Sequence, residues 1–199
     1  MDDPEPLATA RLPIDTVSLA VFLIGKHLMR ETPEGLVGGR IVETEAYPIG
    51  DASGHAYRGQ TPRNRALFLP PGHASVYFTY GSCHMLSVSS EVEGIGAGVL
   101  IRAIEPLAGA HAMRQRRGAR NDRDLARGPG RLASALDIDV RLDGLDLCGA
   151  GPLWLADDGT AAPRIASSRR IGLSRETERP LRFFAHGDRF VSGPKALNL

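Results

Sequence analysis

The sequence predicts one mixed α/β domain whose strands pair mainly antiparallel. Three observations lead there. A chain of 199 residues with 42% apolar content can bury a sizeable core as a single domain. Its strand-like runs are joined by turns and interspersed with amphipathic stretches, a mixture that suits an α+β layer architecture. No internal repeat, low-complexity tract or clear linker divides it.

The elements follow in order. The acidic, proline-bearing start reads as a flexible lead over residues 1–11, with the domain running from 12 to 199. "DTVSLAVFLIGKHL" reads as an amphipathic helix capped by Asp15 or Thr16, and "TPEG" breaks it. "GLVGGRIVETEAY" is one strand or two. "PIGDASGHAYRGQTPRNRALF" is a long glycine-rich polar segment, and such loops inside a compact domain are usually functional. "ASVYFTYGSCHMLSVSS" gives two strands around a turn near Gly81, and "GAGVLIRAIEPL" a strand with Arg102 in its apolar run. "LAGAHAMRQRRG" and "GRLASALDI" are helical. Shorter strands are expected at "LDLCG", "PLWLA" and "PLRFFA".

Composition excludes several classes. Two cysteines, Cys83 and Cys148, make neither a disulfide scaffold nor a four-cysteine zinc site. The start lacks the basic character of a signal peptide, and the longest apolar run, "LAVFLIG", is too short to span a bilayer. A cytoplasmic protein with no membrane partner is expected. Net charge is +1, but residues 102–131 and 164–199 each carry +5. Two basic segments on a near-neutral chain can face phosphates, or can simply be solvated.

Two carboxylates in "VETEAY" need an explanation, because strands disfavour Glu. Period-two geometry puts Ile41, Glu43, Glu45 and Tyr47 on one face, so Glu45 and Tyr47 are neighbours. A carboxylate beside an aromatic wall can stand over a flat ligand. Arg102, in an apolar run, needs an anionic partner if buried; Glu45 and Glu105 are the candidates.

Other chemistries fail on spacing. No H-x-E with P-C-x-x-C is present, as a zinc deaminase requires. His73, Cys83 and His84 match no standard metal site. There is neither a G-x-S-x-G elbow nor a Walker A loop. No metal and no cofactor are expected. "RGPGR" before a helix is a phosphate site or a plain turn. "YGSCH" is a wedge between bases or a tyrosine packed under its own turn.

Six blocks, "GRIVETEAY", "HAYRGQTPRN", "VYFTYG", "VLIRAIEPL", "RGPGRLASAL" and "RIGLS…PLRFF", occur in the order found in the 3-methyladenine DNA glycosylase family, of the alkyladenine or methylpurine type, which this chain resembles from about residue 12 to 192. The resemblance implies a compact α+β domain around a curved, largely antiparallel sheet, with a protruding hairpin that contacts DNA. It implies a monomer that flips damaged, alkylated or deaminated purines out of double-stranded DNA and hydrolyses the N-glycosidic bond with an activated water. It further implies that Glu45 is the general base, and that Arg102 and the backbone carbonyl of Ile171 help hold the water. Tyr47 and Tyr77 would sandwich the base, His55 would hydrogen-bond it, and Ser87 would lie where the family commonly has Asn. Tyr80 would fill the gap in the stack, with Gly81, Ser82 and Cys83 completing the DNA-contacting tip. Glu43 keeps a structural or surface role. Neither lysine, Lys26 or Lys195, sits beside a motif, which favours a water-based reaction over a Schiff base.

Two other classes stay open on sequence. One is a catalytically silent nucleic-acid-binding module of the same fold, against which the intact Glu45, Arg102 and His55 argue. The other is a hydrolase of free nucleosides, against which the basic segments and "YGSCH" argue.

Overall fold

A single bulged strand of thirteen residues, Gly35–Tyr47, organises the molecule. The computed structural model describes residues 5–79 and 81–198. Among them nine strands form one antiparallel sheet: β1 (Glu5–Pro6), β2 (His27–Thr32), β3 (Gly35–Tyr47), β4 (Ala74–Thr79), β5 (Cys83–Ser89), β6 (Gly98–Ala108), β7 (Leu153–Asp157), β8 (Ile165–Ser168) and β9 (Arg182–Ala185). The spatial order is β1-β7-β2-β3-β6-β5-β4. On the side of β3 away from β6, the first half pairs with β2 and the second with β9, which in turn pairs with β8. The sheet curls into a half-barrel carrying three helices, α1 (Thr16–Phe22), α2 (Ala110–Arg117) and α3 (Pro129–Ala135). No helix among the described residues is long and apolar enough to cross a membrane.

The core is shared between the sheet and the helices. Leu19 and Ala20 of α1 are buried, as are Ile41 of β3, Leu86 of β5, Ile101 of β6 and Leu132 of α3. Thr44 in β3 donates its hydroxyl to the Ala20 carbonyl (2.8 Å), tying helix to sheet. The expected cap of α1 forms, with the Asp15 side chain accepting from the Ser18 amide (2.8 Å).

Four local expectations are revised. The first helix ends at Phe22 rather than running through "GKHL". Gly25 takes φ +91°, a left-handed conformation that a side chain resists, and the chain turns there into β2. "TPEG" is the tight turn of the β2–β3 hairpin, where Thr32 pairs with Gly35. "LDLCG" forms turns and a single bridge from Asp146 to His73 instead of a strand. The lead expected to be flexible is held from Glu5 onward. Glu5 and Pro6 pair with Asp157 and Ala156, Leu7 is fully buried, and Arg11 bonds Asp157 (2.7 Å).

Candidate active site

The site begins with a defect in the β3–β6 ladder. The register shifts between Ile41 and Glu43, and again between Glu43 and Thr44, so Val42 and Arg102 have no opposite number. A bulge bends its strand and re-aims side chains. Here it brings Arg102 under both carboxylates of "VETEAY". Its Nε donates to Glu43 Oε1 (2.8 Å), and its Nη1 lies 3.2 Å from Glu45 Oε1. Glu105, the other candidate partner, instead faces Arg40 at 3.5 Å near the surface. Burial opposes the charge on Arg102, but Glu45 and Glu43 outweigh it and hold the guanidinium's pKa above its ordinary value.

Glu45 is fully buried. Its Oε1 accepts the Ile171 amide N–H (2.8 Å), and its Oε2 accepts the Tyr47 hydroxyl (2.9 Å). The shared face of Glu45 and Tyr47 expected from strand geometry is therefore a direct hydrogen bond. Burial, and then the Glu45 carboxylate, push the Tyr47 hydroxyl far above its ordinary pKa, so it remains a donor. Ile171 meets Glu45 through its amide.

Tyr47, Arg102 and Ile171 form part of the wall of a pocket of about 200 Å³. This is below the roughly 300–1,000 Å³ of sites for drug-sized ligands and suits a single heterocycle. Tyr77 and Ser87 line it too, Tyr77 from β4 and Ser87 from β5, with Met85 beside them. His55 stands at its mouth, edge-on to Tyr77 with ring centroids 4.2 Å apart. Partial burial, and then Arg63, lower the His55 pKa, so at neutral pH its ring offers one donor and one acceptor. The loop carrying His55 is stapled by Asn64, whose amide donates to the His55 carbonyl (2.8 Å) and the Gly59 carbonyl (3.0 Å). The structure thus brings Glu45, Tyr47, His55, Tyr77, Ser87, Arg102 and Ile171 to one place.

Gly81, Ser82 and Cys83, at the far end of the β4–β5 hairpin, do not line the pocket. Gly81 takes φ +64° at its tip, Ser82 is exposed, and Cys83 is half-buried where Gly130 of α3 comes close. Tyr80 lies outside the described residues. The exposed aromatic that the hairpin displays is Phe78, 5.1 Å from His84.

Several supporting groups were not anticipated. Glu43, expected to be structural or exposed, is fully buried. It accepts from Arg102, from Arg182 Nε (2.7 Å) and from the Ser192 amide (2.6 Å). Arg182 in "PLRFFA" interrupts an apolar run just as Arg102 does, and that signal could have found it. Arg170 stacks its guanidinium over the Tyr47 ring (4.6 Å to the centroid), pairs with buried Asp51 (2.6 Å) and donates to the Ala46 carbonyl (2.9 Å).

The sequence matches the family model described as methylpurine-DNA glycosylase over residues 10–189. A protein of Mesorhizobium japonicum named "Putative 3-methyladenine DNA glycosylase" is 60% identical over 196 residues, covering 98% of this chain and 94% of the relative. Proteins of the same name are 52% identical in Paraburkholderia phytofirmans (96% and 90% covered) and 42% identical in Streptomyces avermitilis (98% and 94%). With the family pattern spread over nearly the whole chain, and its residues converging on one pocket, this chain belongs to the methylpurine-DNA glycosylase family.

Proposed function

We propose that this chain, a DNA N-glycosylase by its family, acts as a monofunctional monomer that extrudes alkylated or deaminated purines from duplex DNA and hydrolyses the glycosidic bond with water. The observation that carries this reading is the buried Glu45 carboxylate, held by Arg102, Ile171 and Tyr47 behind a pocket the size of one heterocycle. Extrusion costs roughly a few kcal/mol, least for a damaged pair. Stacking on Tyr47 and Tyr77 returns about 1–3 kcal/mol per base. Neutral His55 meets the base edge from the pocket mouth.

As the bond breaks, positive charge develops on the sugar, and a preorganised carboxylate stabilises it. Oε1 of Glu45 already receives the Ile171 amide and faces Arg102, whereas Oε2 receives only the Tyr47 hydroxyl. A carboxylate oxygen has two acceptor sites, so Oε2 is the one that takes the proton from water. That water reaches it from the pocket, whose wall Tyr47, Arg102 and Ile171 share. A base alkylated at N3 or N7 is cationic and leaves readily, while a neutral lesion needs a proton from another donor.

A duplex carrying one 3-methyladenine or hypoxanthine, treated with the protein and then with alkali, tests the reading. Wild type gives strand breaks at the lesion only after alkali. Glu45→Gln slows single-turnover release by at least about 10²-fold while retaining lesion binding. Breaks without alkali, or an active Glu45→Gln, would overturn it. No release from duplex alongside cleavage of a free nucleoside would favour the nucleoside hydrolase.

A further inference from the structure

Behind the pocket lies a second layer of charge, centred on Glu43. Glu43 Oε1 receives three donors: Arg102 Nε (2.8 Å), Arg182 Nε (2.7 Å) and the Ser192 hydroxyl (3.0 Å). Oε2 receives the Ser192 amide (2.6 Å). Glu43 and Arg182 are both 0% exposed. Arg182 is itself held by the carbonyls of Ser192 (3.0 Å) and Leu197 (3.1 Å), the Asn198 side chain (2.7 Å) and the Ser168 hydroxyl (2.8 Å). Segment 191–198, far from β3 in sequence, thus closes over the carboxylate that grips Arg102.

Burying a carboxylate is costly unless it is paired and hydrogen-bonded. A core position that needed only volume would be filled by an apolar side chain. Glu43 instead fixes one edge of the Arg102 guanidinium through Nε and leaves Nη1 for Glu45. Without Glu43, only the long bond from Nη2 to the Ser192 hydroxyl (3.5 Å) holds that edge, and Arg102 can turn to pair both nitrogens with Glu45, drawing its charge away from the pocket. An arginine–carboxylate pair is planar and directional, so the orientation of the guanidinium follows from which edge is occupied.

We propose that Glu43 is a positioning residue for Arg102, and that Arg182 with segment 191–198, through Ser192, forms the frame that holds Glu43 in place. This rests on the reading of Glu45 and Arg102 given above. The cluster of Glu43, Glu45, Arg102 and Arg182 is neutral. Glu45 faces Arg102 from β6 and Tyr47 and Glu43 from its own strand, with Arg182 across on β9. The Arg170–Asp51 pair lies behind Tyr47, and His55 is at the pocket mouth. Glu43→Gln removes one negative charge and leaves Glu45 facing an excess of guanidinium.

The test measures single-turnover base release, lesion-duplex affinity and urea midpoint for wild type, Glu43→Gln and Ser192→Ala. Glu43→Gln is expected to slow release by about 10²-fold, the scale of a misplaced catalytic contact. It should leave affinity within about twofold, a small change beside the tenfold that 1.4 kcal/mol represents. Ser192→Ala keeps the charge and loses the two hydrogen bonds of the hydroxyl, the one it donates to Glu43 Oε1 (3.0 Å) and the one it accepts from Arg102 Nη2 (3.5 Å). It is expected to slow release about three- to tenfold. Should Glu43→Gln fail to fold, Ser192→Ala alone decides. The proposal is overturned if the variants lower the urea midpoint while release matches wild type. It is also overturned if the whole loss lies in affinity. Wild type and Glu45→Gln run alongside as controls: an inactive wild type, or an active Glu45→Gln, counts against the function itself, while the expected behaviour of both beside an unaltered Glu43→Gln counts against this inference alone.

Discussion

Ser87 is where one side chain's volume is expected to decide which purines enter the pocket. It is buried on β5 opposite Leu100 of β6 and lines the pocket beside Met85. Guanine differs from hypoxanthine by an exocyclic amino group, and the family resemblance implies the bulkier Asn at this position in relatives. Serine is smaller, and its hydroxyl can accept a hydrogen bond from that amino group. Excluding a group this small is worth only about 1–3 kcal/mol. Ser87→Asn should therefore lower the rate on 7-methylguanine relative to hypoxanthine by roughly tenfold, since about 1.4 kcal/mol is a factor of ten. Single-turnover rates on the two duplexes check this, and an unchanged ratio would mean that Ser87 only packs. At this scale much of the site was legible. Glu45 and Tyr47 share a face by strand period alone, and Arg102 in an apolar run demanded a carboxylate. The fate of Glu43 was not legible, because its second arginine lies 139 residues away and its amide donor 149. The bulge that gives both carboxylates one arginine leaves no mark in the pattern of residue types.

Among the elements, the loop from Pro48 to Asn64 does the most with the least regular structure. Asn64 holds it from inside: besides donating to His55 and Gly59, its Oδ1 accepts from the Thr61 amide (2.6 Å) and hydroxyl (3.0 Å). Four hydrogen bonds on one side chain make the loop a rigid carrier for His55. In Asn64→Ala these groups lose their partner, at a cost of about 1–3 kcal/mol where the group is buried. Lesion duplex should bind about tenfold more weakly, with undamaged duplex little affected. Titration of both duplexes decides it; equal weakening of the two would show that Asn64 supports the fold rather than the reading of the base. The sequence marked this loop as functional by its length and polarity. Elsewhere, element boundaries were read less well where glycine decided them. Gly25 ends α1 early and frees His27 and Leu28 to open β2, which in turn makes "TPEG" a hairpin turn. Apolar spacing over "LAVFLIGKHL" fits a helix equally well, so only the tertiary demand for a strand beside β3 separates the two. β8, "IASS", carries no strand signature and owes its existence to pairing with β9.

Among the described residues, arginines gather at two hollows of the surface. Arg58, Arg63 and Arg175 line a wider hollow that shares His55, Tyr57, Tyr77 and Leu173 with the base pocket and has no carboxylate in its lining. The two basic segments of the sequence also meet. Arg123 donates to the Arg189 carbonyl (3.0 Å) and Arg127 to the Val191 carbonyl (2.8 Å), around a cleft that Lys195 joins and whose lining holds one carboxylate, Asp188. Net charge of +1 hides this, because the acidic residues concentrate elsewhere in the chain. A duplex laid against such a surface releases one condensed counterion for about each phosphate neutralised, so affinity falls with log salt at a slope near −0.9 per contact. Affinity for undamaged duplex should fall steeply between low and physiological salt. Arg58→Ala and Arg189→Ala, both exposed, should each reduce the slope by about 1 and weaken damaged and undamaged duplex alike. Tyr80→Ala should do the reverse, weakening lesion binding with the slope nearly unchanged, because stacking displaces no counterions. Fluorescence anisotropy at several salt concentrations measures all four proteins. If Arg58→Ala leaves the slope intact, the strand beside the flipped base does not cross the hollow at the pocket mouth. If Arg189→Ala does so, the cleft between the two basic segments faces away from DNA, and their meeting there serves the fold alone.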